Sequence, residues 1–157
     1  MAINRGKQFE NVFVKCWEKS FPASFLLRLP DQMSGYKVSA KNLCDFIGFN
    51  DGILYLLEIK THKGASLPLN NITQYQKMRK YTNVNKVRVG VILWLVEKDI
   101  ILYIPISTIE KLYNDNKKSV GLKALSDGYN IKIIPSVKKR VFMDSDYSIL
   151  MNLQEGE

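Results

Sequence analysis

Two carboxylates and a lysine interrupt apolar sequence where two predicted strands lie side by side. The second strand is apolar over residues 53–57 and then continues as Glu58-Ile59-Lys60, while Asp45 opens the first strand. Side chains alternate along a strand, so Glu58 and Lys60 project to one face. A buried charge is costly unless a partner or a bound group compensates it. These residues therefore form either an internal ion pair or part of a reactive site.

The types of these side chains indicate a divalent-cation site that acts on phosphodiesters. Two carboxylates from adjacent strands supply the hard oxygen ligands that Mg²⁺ or Mn²⁺ prefers, and the backbone carbonyl of Ile59 offers a further oxygen. Lys60 shares the face of Glu58 and can hold an attacking water or stabilise a pentavalent phosphate. The alternative is a buried Glu58–Lys60 ion pair, with Asp45 as a turn residue.

The sequence contains few of the residues that other catalytic or metal sites require. His62 is the only histidine, which excludes histidine-based metal sites and leaves a Ser-His-Asp triad dependent on one loop residue. The two cysteines, Cys16 and Cys44, lack metal-type spacing and are too few for a disulfide framework, which favours a reducing cytoplasm. Cys44 is expected in the core. No glycine-rich phosphate loop is present.

A predicted hairpin and a predicted helix position the acidic residues. The Asn-Asp-Gly sequence at residues 50–52 is a strong hairpin signal between apolar runs, so the strands of Asp45 and Glu58 are expected to pair. Residues 5–20 follow the spacing of an amphipathic helix. Glu10 lies at the edge of its apolar stripe, where it is either a solvated flank residue or directed at the sheet.

The remaining elements predict a mixed sheet with helices on both faces. A second helix over residues 72–81, capped by Asn70 or Asn71, carries Gln76 and leads to a doubly buried strand at residues 86–96. A helix between two such strands is a crossover, so the class is α/β. The other predicted elements are strands at 24–29, 100–104 and 131–134, a helix to residue 116 opened by a capping box at 107–110, and short helices at 117–125 and 146–153.

The net charge of +8 on 157 residues favours a polyanionic partner, either nucleic acid or an anionic membrane surface. No stretch approaches the roughly 20 apolar residues of a membrane-spanning helix, and the N-terminus lacks the apolar region of a signal peptide. We therefore expect a single domain over residues 1–157 that has no membrane partner and is cytoplasmic.

Three segments, taken in order, resemble the PD-(D/E)XK nuclease superfamily and, more narrowly, the RecU-type Holliday junction resolvases. The superfamily core alone is short and degenerate, whereas the ordered set of segments is more specific. The segments are Asn-Arg-Gly at residues 4–6 leading to Glu10, Asp45-Phe46-Ile47-Gly48 followed by Gly52 and Glu58-Ile59-Lys60, and Ser-Leu-Pro-Leu at residues 66–69 leading to Gln76.

The resemblance implies a restriction-endonuclease-like core and a Mg²⁺-dependent, homodimeric endonuclease that makes paired cuts across a four-way DNA junction, with Mn²⁺ as a substitute metal. By position, Asp45 and Glu58 would ligate metal, Lys60 would assist the attacking water, and Glu10 and Gln76 would complete the site. Branched DNA is the implied partner, and no small-molecule cofactor is implied. A flap, nicking or restriction-type nuclease on the same core, or a non-catalytic basic DNA-binding protein, remains an alternative.

Two features differ from that family. Its members have a long basic and proline-rich stalk between the first strands, whereas residues 30–41 here are short, and Cys44 stands where a hydroxyl residue usually precedes the aspartate. Both differences bear on junction selectivity more than on cleavage. No recognition helix is evident, so we expect contacts to phosphates and recognition of DNA shape. The predicted phosphate contacts are Arg5, Lys7, Lys37, Lys41, His62, Lys63, Lys77 and Lys80. The basic run Lys138-Lys139-Arg140 is a further candidate.

Overall fold

Helix α1 (Arg5–Ser20) has the boundaries that the sequence predicts. The computed structural model describes residues 4–30 and 42–157. The Asn4 side chain caps the helix by accepting a hydrogen bond from the backbone N–H of Lys7, which satisfies one of the unpaired donors of the first turn. One face of α1 is buried against the sheet, through Phe9, Phe13, Cys16 and Trp17.

The first three strands form an antiparallel set: β1 (Phe25–Arg28), β2 (Phe46–Asn50) and β3 (Ile53–His62). The β2–β3 turn consists of Asp51 and Gly52, whose φ angles are both positive, at 49° and 78°. Asp-Gly tolerates this conformation, which matches the twist of a tight hairpin. The predicted hairpin is therefore confirmed.

The helix predicted over residues 72–81 is wrong in its extent. After β4 (Ser66–Pro68), the chain makes a 3₁₀ turn, the four-residue helix α2 (Tyr75–Met78) and another 3₁₀ turn. The buried residue Ile72 has φ −88° and ψ 74°, which is not helical, so the helix cannot continue through it. Gln74, rather than an asparagine, occupies the N-cap position of α2.

Strand β5 (Val87–Leu95) is buried at every position and pairs in parallel with β3. It is followed by β6 (Ile100–Pro105), which is antiparallel to it. The run of apolar residues is therefore explained by burial on both faces of the sheet, as the sequence predicts.

Helix α3 (Ile106–Asn114) begins without the predicted capping box. Pro105 is its N-cap, and the hydroxyls of Ser107 and Thr108 instead donate to the backbone carbonyls of Gly156 and Asn130. The helix predicted over residues 117–125 is also wrong in its first part, because the strand β7 (Ser119–Gly121) pairs with β4 before the short helix α4 (Leu122–Ser126) begins.

The chain ends with a short strand, a hairpin and a 3₁₀ helix. These are β8 (Lys132–Ile133), the hairpin of β9 (Ser136–Lys138) and β10 (Met143–Ser145), and a 3₁₀ helix at Tyr147–Asn152. The main sheet has the order β1-β2-β3-β5-β6-β8, with β3–β5 as its parallel pair. Helix α1 and the last 3₁₀ helix cover one face, and α2, α3 and α4 cover the other. The mixed α/β sheet is confirmed.

Candidate active site

The site lies where strand β2 ends beside the middle of β3. The ladder between them closes at Phe46 opposite Leu57, with one further bond from the Asp45 N–H to the Leu57 carbonyl at 3.1 Å. The Asp45 carboxylate then accepts a hydrogen bond from the Ile59 N–H at 2.8 Å. A side chain thus replaces the next ladder bond, which fixes the Asp45 carboxylate at this edge of β3.

The backbone carbonyl of Ile59 lies at the same edge. In an extended strand, the N–H and C=O of one residue face the same neighbouring strand. Because the Ile59 N–H is directed at Asp45, its carbonyl oxygen is directed to the side where β2 has already ended. Asp45 and the Ile59 backbone therefore lie at the same edge of β3, and the role of the Ile59 carbonyl as a metal ligand stays a prediction.

The Glu58 carboxylate is buried, with a side-chain exposure of 4%, and its two oxygens have different surroundings. Oε1 pairs with the Lys60 ammonium at 3.2 Å, whereas Oε2 is buried with no hydrogen-bond partner within the described chain. The pKa of Glu58 is raised to about 7, chiefly by burial and then by the neighbouring Asp45 carboxylate, while Lys60 opposes the shift and Glu10 adds a smaller rise. Lys60 therefore compensates only part of this buried charge.

An unpartnered buried carboxylate oxygen beside a second carboxylate fits a divalent cation. A cation there would satisfy Glu58 Oε2 and offset the repulsion from Asp45. Within residues 4–30 and 42–157, no group of three or more His, Cys, Asp or Glu side chains could hold a metal. Two carboxylates and the Ile59 carbonyl, completed by water, are the oxygen set that this edge of the sheet offers, and Mg²⁺ commonly retains several waters.

Glu10 reaches the site from α1 and is held there by an arginine that the sequence did not indicate. Arg28 Nε and Nη2 both lie 2.8 Å from Glu10 Oε2. Arg28 is opposite Phe46 in the β1–β2 register, one residue from Asp45. A charged residue within the apolar Phe-Leu-Leu-Arg-Leu run is the only signal in the sequence, and it becomes informative only once the strand register is known.

Gln76 is not brought into contact with the carboxylates. It lies on the exposed side of α2, and in the described part of the chain no hydrogen bond or ion pair joins it to Asp45 or Glu58. Its place in the site stays a prediction.

The predicted phosphate contacts fall into three groups. Arg5, His62 and Lys63 line one cavity of about 840 Å³ between the start of α1 and the end of β3. Lys7, Lys77 and Lys80 lie elsewhere on the first turn of α1, on α2 and on the turn after it. Lys37 and Lys41 lie outside the described residues. In the structure described here, no helix is long and apolar enough to cross a membrane.

Comparisons with known proteins bear on the family and the fold of this chain. A search of curated proteins found no match. Among solved structures, the chain is similar to Hjc from Archaeoglobus fulgidus, a Holliday junction resolvase, with a TM-score of 0.54 and 18% sequence identity over 79% of this chain and 94% of Hjc. That likeness concerns the fold. The family model described as Recombination protein U matches residues 30–142. With well over half of its length matched, the chain belongs to the Recombination protein U family.

Proposed function

We propose that this protein is a structure-selective endonuclease that resolves four-way DNA junctions by paired phosphodiester hydrolysis. The observation that carries the chemistry is the buried, unpartnered Oε2 of Glu58 beside the Asp45 carboxylate. The substrate class is supported by membership of the Recombination protein U family and by the likeness of the fold to that of Hjc, a Holliday junction resolvase. We take residues 1–157 as one nuclease domain that acts on DNA in the cytoplasm.

Asp45, Glu58 and the Ile59 carbonyl would hold Mg²⁺, or Mn²⁺ in its place. The bound ion would supply a Lewis acid for the phosphate and would lower the pKa of a bound water. Lys60, whose ammonium lies 3.2 Å from Glu58 Oε1, would orient an attacking water or neutralise charge on the phosphate. Glu10 adds negative potential from α1, and the Arg28 guanidinium restrains its position.

The cavity lined by Arg5, His62 and Lys63 would hold the backbone next to the cut phosphate. His62 lies two residues beyond Lys60 on β3, a distance of roughly 6.6 Å along an extended strand. Lys7, Lys37, Lys41, Lys77 and Lys80 are the further phosphate contacts that we propose. Contacts of this kind give affinity and salt dependence without reading sequence.

Paired cuts in a symmetric junction require two active sites, which a C₂ dimer supplies. We propose that the second copy docks on the outer face of β1 and β2. Phe25 and Phe49 are cross-strand neighbours there, with exposures of 54% and 48%, and Leu27 beside them is 46% exposed. Strand β1 is also an edge of the main sheet. An apolar patch on an edge strand is typical of an association surface.

The site assignment is tested by the variants Asp45→Asn and Glu58→Gln, with Glu18→Gln as the control for loss of an exposed carboxylate on α1. Each site variant removes one negative ligand, so we expect cleavage of a four-way junction in Mg²⁺ to fall by about 100-fold or more. Junction binding in EDTA should persist, and the control should cut normally. Cleavage retained in either site variant would exclude this metal site.

The substrate assignment is tested by assaying one sample on four-way, flap, nicked and linear DNA, with Mg²⁺ and with EDTA. We expect paired cuts in the four-way junction and little cutting of linear duplex. Equal cutting of linear DNA would indicate a different nuclease on the same core. Binding that gives no Mg²⁺-dependent product on any substrate would indicate a non-catalytic DNA-binding protein.

A further inference from the structure

A second basic cavity lies next to the first. It measures about 310 Å³, and its basic lining comes from Arg5, Lys138 and Arg140. Arg5 and Val96 line both cavities, so the two are adjacent, and we call them together the basic groove. Lys138 ends β9, and Arg140 lies in the turn between β9 and β10. The hairpin thus adds Lys138 and Arg140 to the basic side chains Arg5 and Lys63 of the first cavity.

We propose that the β9–β10 hairpin is a second DNA-binding element, which holds backbone phosphates of one duplex arm as that arm leaves the active site. The inference rests on the proposed function and gives the basic run at residues 138–140 a place beside Arg5 and a specific role. Arg140 and Lys138 would contact phosphates, whereas Arg5, shared by both cavities, would join this part of the backbone to the part next to Lys63.

The chemistry of this groove favours an anion. No acidic side chain of the described residues lines either cavity. The polar side chains that line the second cavity are Arg5, Gln8, Lys138 and Arg140, together with the indole of Trp94, so its lining offers hydrogen-bond donors and, among the described residues, no carboxylate. An oxyanion, rather than a cation, is the ligand that such a lining can accept.

Lys138 and Arg140 differ in whether they form an ion pair within the protein. Lys138 forms an ion pair with Asp99, and both side chains are about half exposed. Arg140 has no carboxylate partner within residues 4–30 and 42–157. An exposed ion pair of this kind contributes little to stability. Lys138 can therefore exchange Asp99 for a phosphate, while Arg140 is available at once and can bind a phosphate with two N–H groups.

The experiment compares Lys138→Gln/Arg140→Gln with Lys15→Gln/Lys86→Gln, a control that removes the same charge from two exposed positions outside both cavities. Binding is measured in EDTA over a range of salt, on four-way junctions with long arms and with arms shortened to the junction centre. On long arms, the hairpin variant should bind about 10-fold more weakly than the control, and its salt slope should be lower by about 2, one for each lost phosphate contact. On short arms the two variants should bind alike.

A gain-of-affinity variant separates binding from folding. Asp99→Asn keeps a residue that tolerates the left-handed conformation at φ 51° and removes the partner of Lys138. It should strengthen binding to long-armed junctions and leave short-armed binding unchanged, which a purely structural role of the ion pair would not produce. Equal binding by the hairpin and control variants on long arms, or an equal loss on both arm lengths, would overturn the proposal.

The measurements also distinguish this inference from the proposed function. Arm-length dependence is measured by binding without metal, whereas the proposed function is judged by Mg²⁺-dependent cleavage in the wild-type protein. A wild-type protein that binds long arms through the hairpin and cuts no junction would contradict the function alone. Normal cleavage with no arm-length dependence would contradict the hairpin assignment alone.

Discussion

At the scale of single residues, the position of Glu58 is unfavourable in the metal-free protein. Burial and the neighbouring Asp45 raise the pKa of its carboxyl to about 7. At a pH between the ordinary glutamate pKa and 7, this carboxyl is therefore protonated in the folded chain and ionised in the unfolded chain. Because the folded state binds more protons in this window, its stability falls as the pH rises from about 4.5 to 7.

We therefore predict that Glu58→Gln flattens the pH dependence of stability. In EDTA, ionisation of Glu58 should cost the wild-type protein up to about 3 kcal/mol between pH 4.5 and pH 8, and the variant should lack this loss. Thermal unfolding in EDTA across this pH range measures the difference, with Glu18→Gln as the control. Parallel pH curves for the wild-type protein and Glu58→Gln would show that Glu58 titrates normally.

The residues of the site differ in how far sequence can identify them. Asp45, Glu58 and Lys60 were predictable because one Asp-Gly turn sets their strand pairing and alternation then assigns their faces. Arg28 was not, since its relation to Glu10 depends on how α1 crosses the sheet and on the β1–β2 register. Contacts between distant parts of the chain leave no spacing signal.

At the scale of secondary structure elements, patterns with strong periodicity were predicted well and short ones were not. Helix α1 and strand β5 lie where the sequence predicts them, because their patterns of buried residues are long and regular. Helix α2 is shorter than predicted because the buried Ile72 leaves the helical conformation. The Ser107 capping box fails because the hydroxyls of Ser107 and Thr108 bond distant carbonyls instead. Tertiary contacts decided these cases.

The packing of β5 on its neighbour gives a test at this scale. A Cβ at Gly90 would lie 2.3 Å from the ring of the fully buried Tyr103. We predict that Gly90→Ala destabilises the protein by about 1–3 kcal/mol, measured by urea unfolding. Gly64→Ala is the control, because its Cβ would meet no atom closer than 3.5 Å. Equal stability of the two variants would contradict the packing at Gly90.

At the scale of the whole molecule, the mixed character of the sheet was predictable because the crossover between two buried strands implies a parallel pair, whereas the order of the strands was not predicted. The positive charge also predicted a polyanionic partner. The distribution of that charge over the surface could not be predicted from the sequence, because the groove brings together residues from α1, β3 and the β9–β10 hairpin. The strands of that hairpin are only three residues long, and such short elements give no periodic signal.

The apolar outer face of β1 and β2 gives a prediction about assembly. We expect the wild-type protein to be a dimer and Phe25→Ser/Phe49→Ser to be a monomer, because the variant removes the cross-strand aromatic pair from the proposed interface. Molar mass by light scattering measures this. Met151→Ser, which changes a residue with a similar exposure of 54%, should remain dimeric. A dimeric double variant would place the interface elsewhere.

The parallel pairing of β3 with β5 also has a consequence for the order in which the protein folds. The β2–β3 hairpin that carries Asp45 and Glu58 is a local contact, whereas β5 joins β3 only after the chain has crossed the sheet. Non-local pairing forms slowly because a long loop must close first. The two carboxylates can therefore meet early, in water, and Glu58 takes up its proton only when β5 docks. Completion of the core and the loss of the Glu58 negative charge are therefore a single late event.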